Sequence, residues 1–198
     1  MAESKNQNPS AGKQAKAPAS PSGGGETPPE WLGTLKELLD RLDPKDGEKA
    51  LENMGAFVDG DMTWAQVQGI PQQMLVEIAE RGYLKFKSGR FKEAEDLFKG
   101  LVLMDHRTAY YHTALGAIYQ KQSNFFDALA EYTVALELDA QDITAYVNRG
   151  EVYYLMGLDE QPLKDLEEAI KLDPNKKDPW ANRARVLKKQ ILEEMNAS

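Results

Sequence analysis

His106 and His112 are the only two imidazoles in the chain, and there is no cysteine. Two imidazoles share a metal from one helix face when they stand four residues apart. These stand six apart, so they read as two partly exposed side chains near a turn. Without cysteine, thiolate zinc sites, catalytic thiols and disulfides are all excluded. The carboxylate pairs Glu167-Glu168 and Glu193-Glu194 sit among other charged residues on helical patterns and read as solvated charge, not an acid–base couple. Gly23-Gly24-Gly25 has no strand pattern before it, which rules out a phosphate-cradling loop. No Ser/His/Asp arrangement is suggested. The residues therefore point to a non-enzyme with no metal and no cofactor.

What remains is a set of aromatic and small residues at fixed spacing. Gly82, Gly116 and Gly150 lie 34 residues apart, as do Ala94, Ala128 and Pro162, and Phe98, Tyr132 and Leu166. Each block ends on an apolar residue and an aspartate: Met104-Asp105, Leu138-Asp139 and Leu172-Asp173. A 34-residue period with this grammar marks tetratricopeptide repeats, helix–turn–helix units that stack because none can bury its apolar face alone. The glycines let the two helices of a unit approach, and the rings fill the gaps. The fold class is all-α: three such repeats forming a right-handed superhelical solenoid, with N-terminal helices and a C-terminal capping helix.

The pattern predicts helix pairs over 72–87 and 91–103, 108–121 and 125–138, and 143–156 and 161–172, then a capping helix over 179–195. Ser88-Gly89 and Gly157 mark turns. Pro162 replaces the small residue of the other repeats, so that helix is expected to start late, near Gln161, or to kink. Three regions follow: a tail at 1–29, too rich in Ala, Ser, Pro and Gly to fold; a helical segment at 30–70; and the repeats with their cap at 71–195. Trp31, Leu35, Leu38, Leu39 and Leu42 paint one apolar stripe on a helix over 30–42. That stripe either folds back on the first repeat or pairs with a second copy. Asp61 or Thr63 is placed to cap a turn containing Trp64 and Val67.

In a stack of these units the first helices line a concave groove. Their facing positions are Val76, Ala79, Tyr83 and Phe86, then Tyr110, Thr113, Ala117 and Gln120, then Thr144, Val147, Glu151 and Tyr154. The lining is aromatic and small with little charge, which suits an extended peptide with spaced apolar anchors. The competing reading is that Tyr83 and Phe86 are core against the N-terminal helices. A net charge of −8 argues against nucleic acid. No run approaches the roughly 18 apolar residues of a membrane span, and no apolar secretory leader is visible, so the expected location is the cytoplasm.

The residues from Gly60 to Asp139 carry a more specific likeness. Gly60-Asp61-Met62-Thr63, Gly69-Ile70-Pro71, Ser88-Gly89-Arg90-Phe91, Glu93-Ala94-Glu95 and Leu115-Gly116-Ala117-Ile118-Tyr119-Gln120 resemble the translocator-class chaperones of type III secretion. The resemblance implies a cytoplasmic, all-helical homodimer that holds a hydrophobic translocator soluble before export, with an extended cargo segment in the groove. It places partner contacts at Ala79, Tyr83, Phe86, Met104, Leu115 and Tyr132, to which the groove spacing adds Ala117 and Tyr154, and it favours pairing of two copies through Trp31, Leu35, Leu38, Leu39 and Leu42. Ala79 departs from the aromatic common at that place in the family. Carboxylate-clamping repeat proteins carry Lys, Asn and Arg where this chain has Ala79, Tyr83, Ala117, Thr144 and Asn148, so that use is not expected. The third repeat is more ordinary, which keeps open a general repeat scaffold or assembly factor as the alternative.

Overall fold

The computed structural model describes residues 52–158 and 160–197, and among them there are helices and turns but no strand. The expected tail at 1–29 and the stripe from Trp31 to Leu42 lie outside the described residues. Helix α1 covers residues 52–58, followed by α2 (Trp64–Val67), α3 (Gln72–Lys87), α4 (Phe91–Met104) and α5 (Ala109–Lys121). The chain continues through α6 (Phe125–Leu138), α7 (Ile143–Leu155), α8 (Glu160–Lys171) and α9 (Pro179–Ala197). α3 pairs with α4, α5 with α6 and α7 with α8, while α9 packs on α8 and α7. This is a tetratricopeptide-repeat solenoid with a closing helix.

The 34-residue grammar has a steric origin. A Cβ built on Gly82 would stand 2.7 Å from Cε2 of Phe98, and one on Gly116 would stand 2.7 Å from Cε1 of Tyr132. Each ring of a second helix thus occupies the space that a side chain on the first would need. At Gly150 the same Cβ would meet Leu166 Cγ and the Pro162 carbonyl oxygen, both at 3.3 Å, a looser fit than against a ring. Ala94 and Ala128 are fully buried, where a larger side chain would force the helices apart. Pro162 is buried in the first turn of α8, which begins at Glu160. Helix N-termini leave their first amides unbonded, so the missing N–H costs nothing there.

The turns repeat as faithfully as the helices. Gly89, Ser123 and Gly157, again 34 apart, have φ of 76°, 62° and 73°, so Ser123 takes the left-handed conformation that glycine supplies in its neighbours. The aspartates that end each repeat organise the next connection. Asp105 accepts the Thr108 hydroxyl at 2.7 Å, Asp139 accepts the Gln141 N–H at 2.9 Å, and Asp173 accepts the Lys177 N–H at 3.0 Å. Asp173 also holds Arg185, whose guanidinium pins α9 to the end of repeat three. Ahead of the repeats, Thr63 caps α2 in a reciprocal box with Gln66. Arg107 donates to the carbonyls of Gly60 and Asp61, tying that segment to the junction of repeats one and two.

Gly116→Ala should therefore displace the Tyr132 ring and destabilise the fold by about 1–3 kcal/mol, the usual cost of overpacking a core. Gly100, in α4, has open space around a built Cβ, and Gly100→Ala should instead stabilise by about 0.5–1 kcal/mol. Chemical denaturation of the two variants checks the contrast; equal stability would refute the steric account.

Candidate peptide-binding groove

The first helices α3, α5 and α7 form the floor of a groove with a cavity of about 550 Å³. At one end the wall is aromatic: Tyr83 and Phe86 from α3, Phe98 from α4 and Tyr110 from α5. Phe98 stands edge-on to Tyr110 with centroids 6.1 Å apart, and Phe86 leans on Phe91 at 5.8 Å. Tyr83 and Tyr110 each keep about half of their surface, 48% and 50%, open to solvent. Ala117 at mid-floor leaves room beside these rings. Thr144, Asn148 and Glu151 of α7 continue the floor, and Trp180 and Arg183 of α9 close the far end.

A chain of hydrogen bonds crosses the floor. The buried Tyr132 hydroxyl donates to Gln120 Oε1 at 2.8 Å, Gln120 Nε2 donates to Glu151 at 2.9 Å, and Arg183 donates to the other Glu151 oxygen at 2.5 Å. The Arg183 guanidinium also lies over the Trp180 ring, 5.4 Å from its centroid. Burial pushes the Tyr132 phenol far above its ordinary value, with a further contribution from Glu151, so it acts as a fixed donor. No group of three or more metal-ligating side chains exists among the described residues. The arrangement offers an apolar trough with hydrogen-bonding groups at one end, a form that holds an extended chain by its side chains.

Of the eight residues expected to touch a partner, the structure brings Tyr83, Phe86 and Ala117 to the cavity. Ala79 and Leu115 are buried in the core, and Tyr132 lies beneath the floor because its ring fills the space over Gly116. Met104 packs against the core from the end of α4. Tyr154 turns to α9, where its hydroxyl donates to Glu194 at 2.7 Å. The lining is also more charged than the sequence suggested: Lys121, Asp139, Asp142, Glu151 and Arg183 all reach the cavity. Trp180 and Arg183 escaped sequence reasoning because α9 reads as a cap, and nothing local to it signals that one of its faces meets the groove.

No family model matches the chain. SicA, a chaperone protein of Salmonella typhimurium, is 30% identical over 109 residues, which cover 55% of this chain and 66%, just under two thirds, of SicA. A type III secretion complex from Aeromonas hydrophila superimposes with a TM-score of 0.68 at 22% identity, covering 73% of this chain and 98% of that one. The chain resembles the translocator chaperones of type III secretion. The Yersinia enterocolitica chaperone SycD, solved with a peptide of the translocator YopD, gives a TM-score of 0.60 at 20% identity over 64% of this chain and 98% of SycD. At such identities these structures establish the repeat fold. No described helix is long and apolar enough to cross a membrane.

The histidines differ from expectation. His106 is exposed, but His112 is buried, its Nδ1 2.7 Å from Glu131 of α6 and its Nε2 3.1 Å from the His106 carbonyl oxygen. The Glu131 carboxylate raises the imidazole above its ordinary value of 6.5 against the opposing effect of burial. A raised folded value means that the pair's stabilisation is complete below about pH 6.5 and fades as pH rises through the folded value. Glu131→Gln should lower the His112 titration midpoint and flatten that decline in stability. Imidazole NMR titration with denaturation at several pH values tests this; a wild-type midpoint at or below the ordinary value would contradict the pairing.

Proposed function

We propose that the chain is a cytoplasmic, non-enzymatic chaperone of type III secretion that holds an extended segment of a hydrophobic translocator in its groove before export. The observation carrying this reading is the aromatic wall of Tyr83, Phe86, Phe98 and Tyr110 facing an open cavity across the first helices. Tyr83 and Tyr110, left half-exposed in this concave site, supply contact area at small entropic cost, as typical anchors of an interface do. The likeness to SicA and to peptide-bound SycD supports a translocator as the occupant. Sequestration follows from the chemistry: a cargo segment that buries its apolar side chains here no longer offers them to other chains.

Co-expression with a candidate translocator, followed by co-purification, tests the assignment; recovery of an unrelated, non-secreted partner would favour a general repeat scaffold. Tyr83→Ala should weaken cargo binding by roughly 1–3 kcal/mol with little change in melting, because the ring is half-exposed. Phe86→Ala should lower both, since Phe86 also packs on Phe91. Isothermal titration and melting on the same variants separate the cases, and unchanged binding by both would place the cargo elsewhere.

The N-terminal stripe extends the proposal. Trp31, Leu35, Leu38, Leu39 and Leu42 recur at helical spacing in the sequence, and an apolar stripe of that size needs cover. We assign it to pairing of two copies. Deleting residues 1–45 should convert a dimer to a monomer in sedimentation at about 10–50 μM, a range suited to moderate affinity; a monomeric full-length chain at that concentration would refute the assignment.

A further inference from the structure

We propose that the groove selects a segment carrying Lys or Arg two residues from the apolar side chain that it buries at the aromatic wall; the inference rests on the groove being a peptide site. Its basis is the uneven distribution of charge around the cavity. Arg183 and Glu151 are paired at 2.5 Å and neutralise each other. Lys121 lies at the C-terminal end of α5, eight residues from Thr113, or about 12 Å along the helix axis. At the opposite end Asp139 and Asp142 line the cavity and make no ion pair among the described residues. Asp142 accepts the Thr113 hydroxyl at 2.6 Å and the Ala145 N–H at 3.0 Å, and Asp139 accepts the Gln141 N–H. A carboxylate has about four lone-pair sites, so both keep capacity for a donor.

The register comes from helix and strand geometry. Tyr110 and Thr113 are i and i+3 on α5, which puts their Cβ atoms about 5–6 Å apart. An extended peptide advances about 3.3–3.4 Å per residue and returns a side chain to the same face every second residue. An anchor seated against Tyr110 thus brings the side chain two positions away over Thr113 and its bonded Asp142. Lys or Arg there presents its charge to Asp142 and the neighbouring Asp139. A glutamate at that position meets two carboxylates.

The test pans a random 12-residue display library on the full-length chain, then measures fluorescence anisotropy with the best synthetic peptide and its basic→Gln and basic→Glu versions. The expected selection is an apolar residue with Lys or Arg at ±2. Basic→Gln should weaken binding about 3–10-fold, as for a charge-assisted contact at a partly open site, and basic→Glu should weaken it further. Both differences should collapse on Asp139→Asn/Asp142→Asn and shrink at high salt. Asparagine still caps α7, and an unchanged melting curve verifies that the double variant is folded; the peptide-side substitutions do not perturb the protein at all. Enriched apolar anchors with no basic preference, or equal affinity of the Lys and Glu peptides, would overturn this inference and leave the groove reading intact. No enrichment of any sequence would overturn both.

Discussion

The two helices of repeats one and two reach ring contact because positions 82 and 116 carry no side chain, and Gly150 gives repeat three a looser version of the same approach against Leu166. Phe98 and Tyr132 occupy the space where a Cβ would stand, at separations no real Cβ shows. That closeness brings the small residues Ala94 and Ala128 of the second helices to complete burial. It also sets what lies above: once Tyr132 is locked over Gly116, its hydroxyl reaches Gln120, and the Gln120–Glu151–Arg183 chain spans the floor from α5 to α9. The groove is held from beneath by the same contact that builds the repeat.

Such a floor is organised by its own contacts. Gln120, Glu151 and Arg183 already have partners, and Arg183 is further fixed against Trp180. A binding surface that need not order its own side chains loses less entropy on association. Tyr83 and Tyr110, half-exposed above that floor, are the large rings it leaves open to solvent.

Repeat architecture was legible in the sequence because it is written locally: glycine, small residue, ring and aspartate recur at one period, and the helix bounds follow within a residue or two. Depth was not. Leu115 and Ala117 are neighbours in one groove-lining helix, yet Leu115 is buried between helices and Ala117 faces the cavity. The family resemblance puts Tyr132 in the groove; what decides its place is Gly116, sixteen residues earlier. His112 looks partly exposed in the sequence because its partner, Glu131, lies nineteen residues away on the next helix. Ser123 gave no sign of its left-handed turn except its register with Gly89 and Gly157. Each miss concerns a contact between elements, which periodicity within one element does not encode.

The closing helix does two things at once. Arg185 binds the last repeat at Asp173, and on the same helix Trp180 and Arg183 form the end wall of the cavity. In a solenoid, length usually grows by inserting another unit, with the cap moving outward unchanged. Here an added unit would carry the wall one repeat further along and put a bare first helix where Trp180 now stands. Span and terminus of the groove are therefore a single inherited trait: a duplication that lengthens the trough also discards the wall that closes it, and this chain can change the trough's length only by rebuilding its stop.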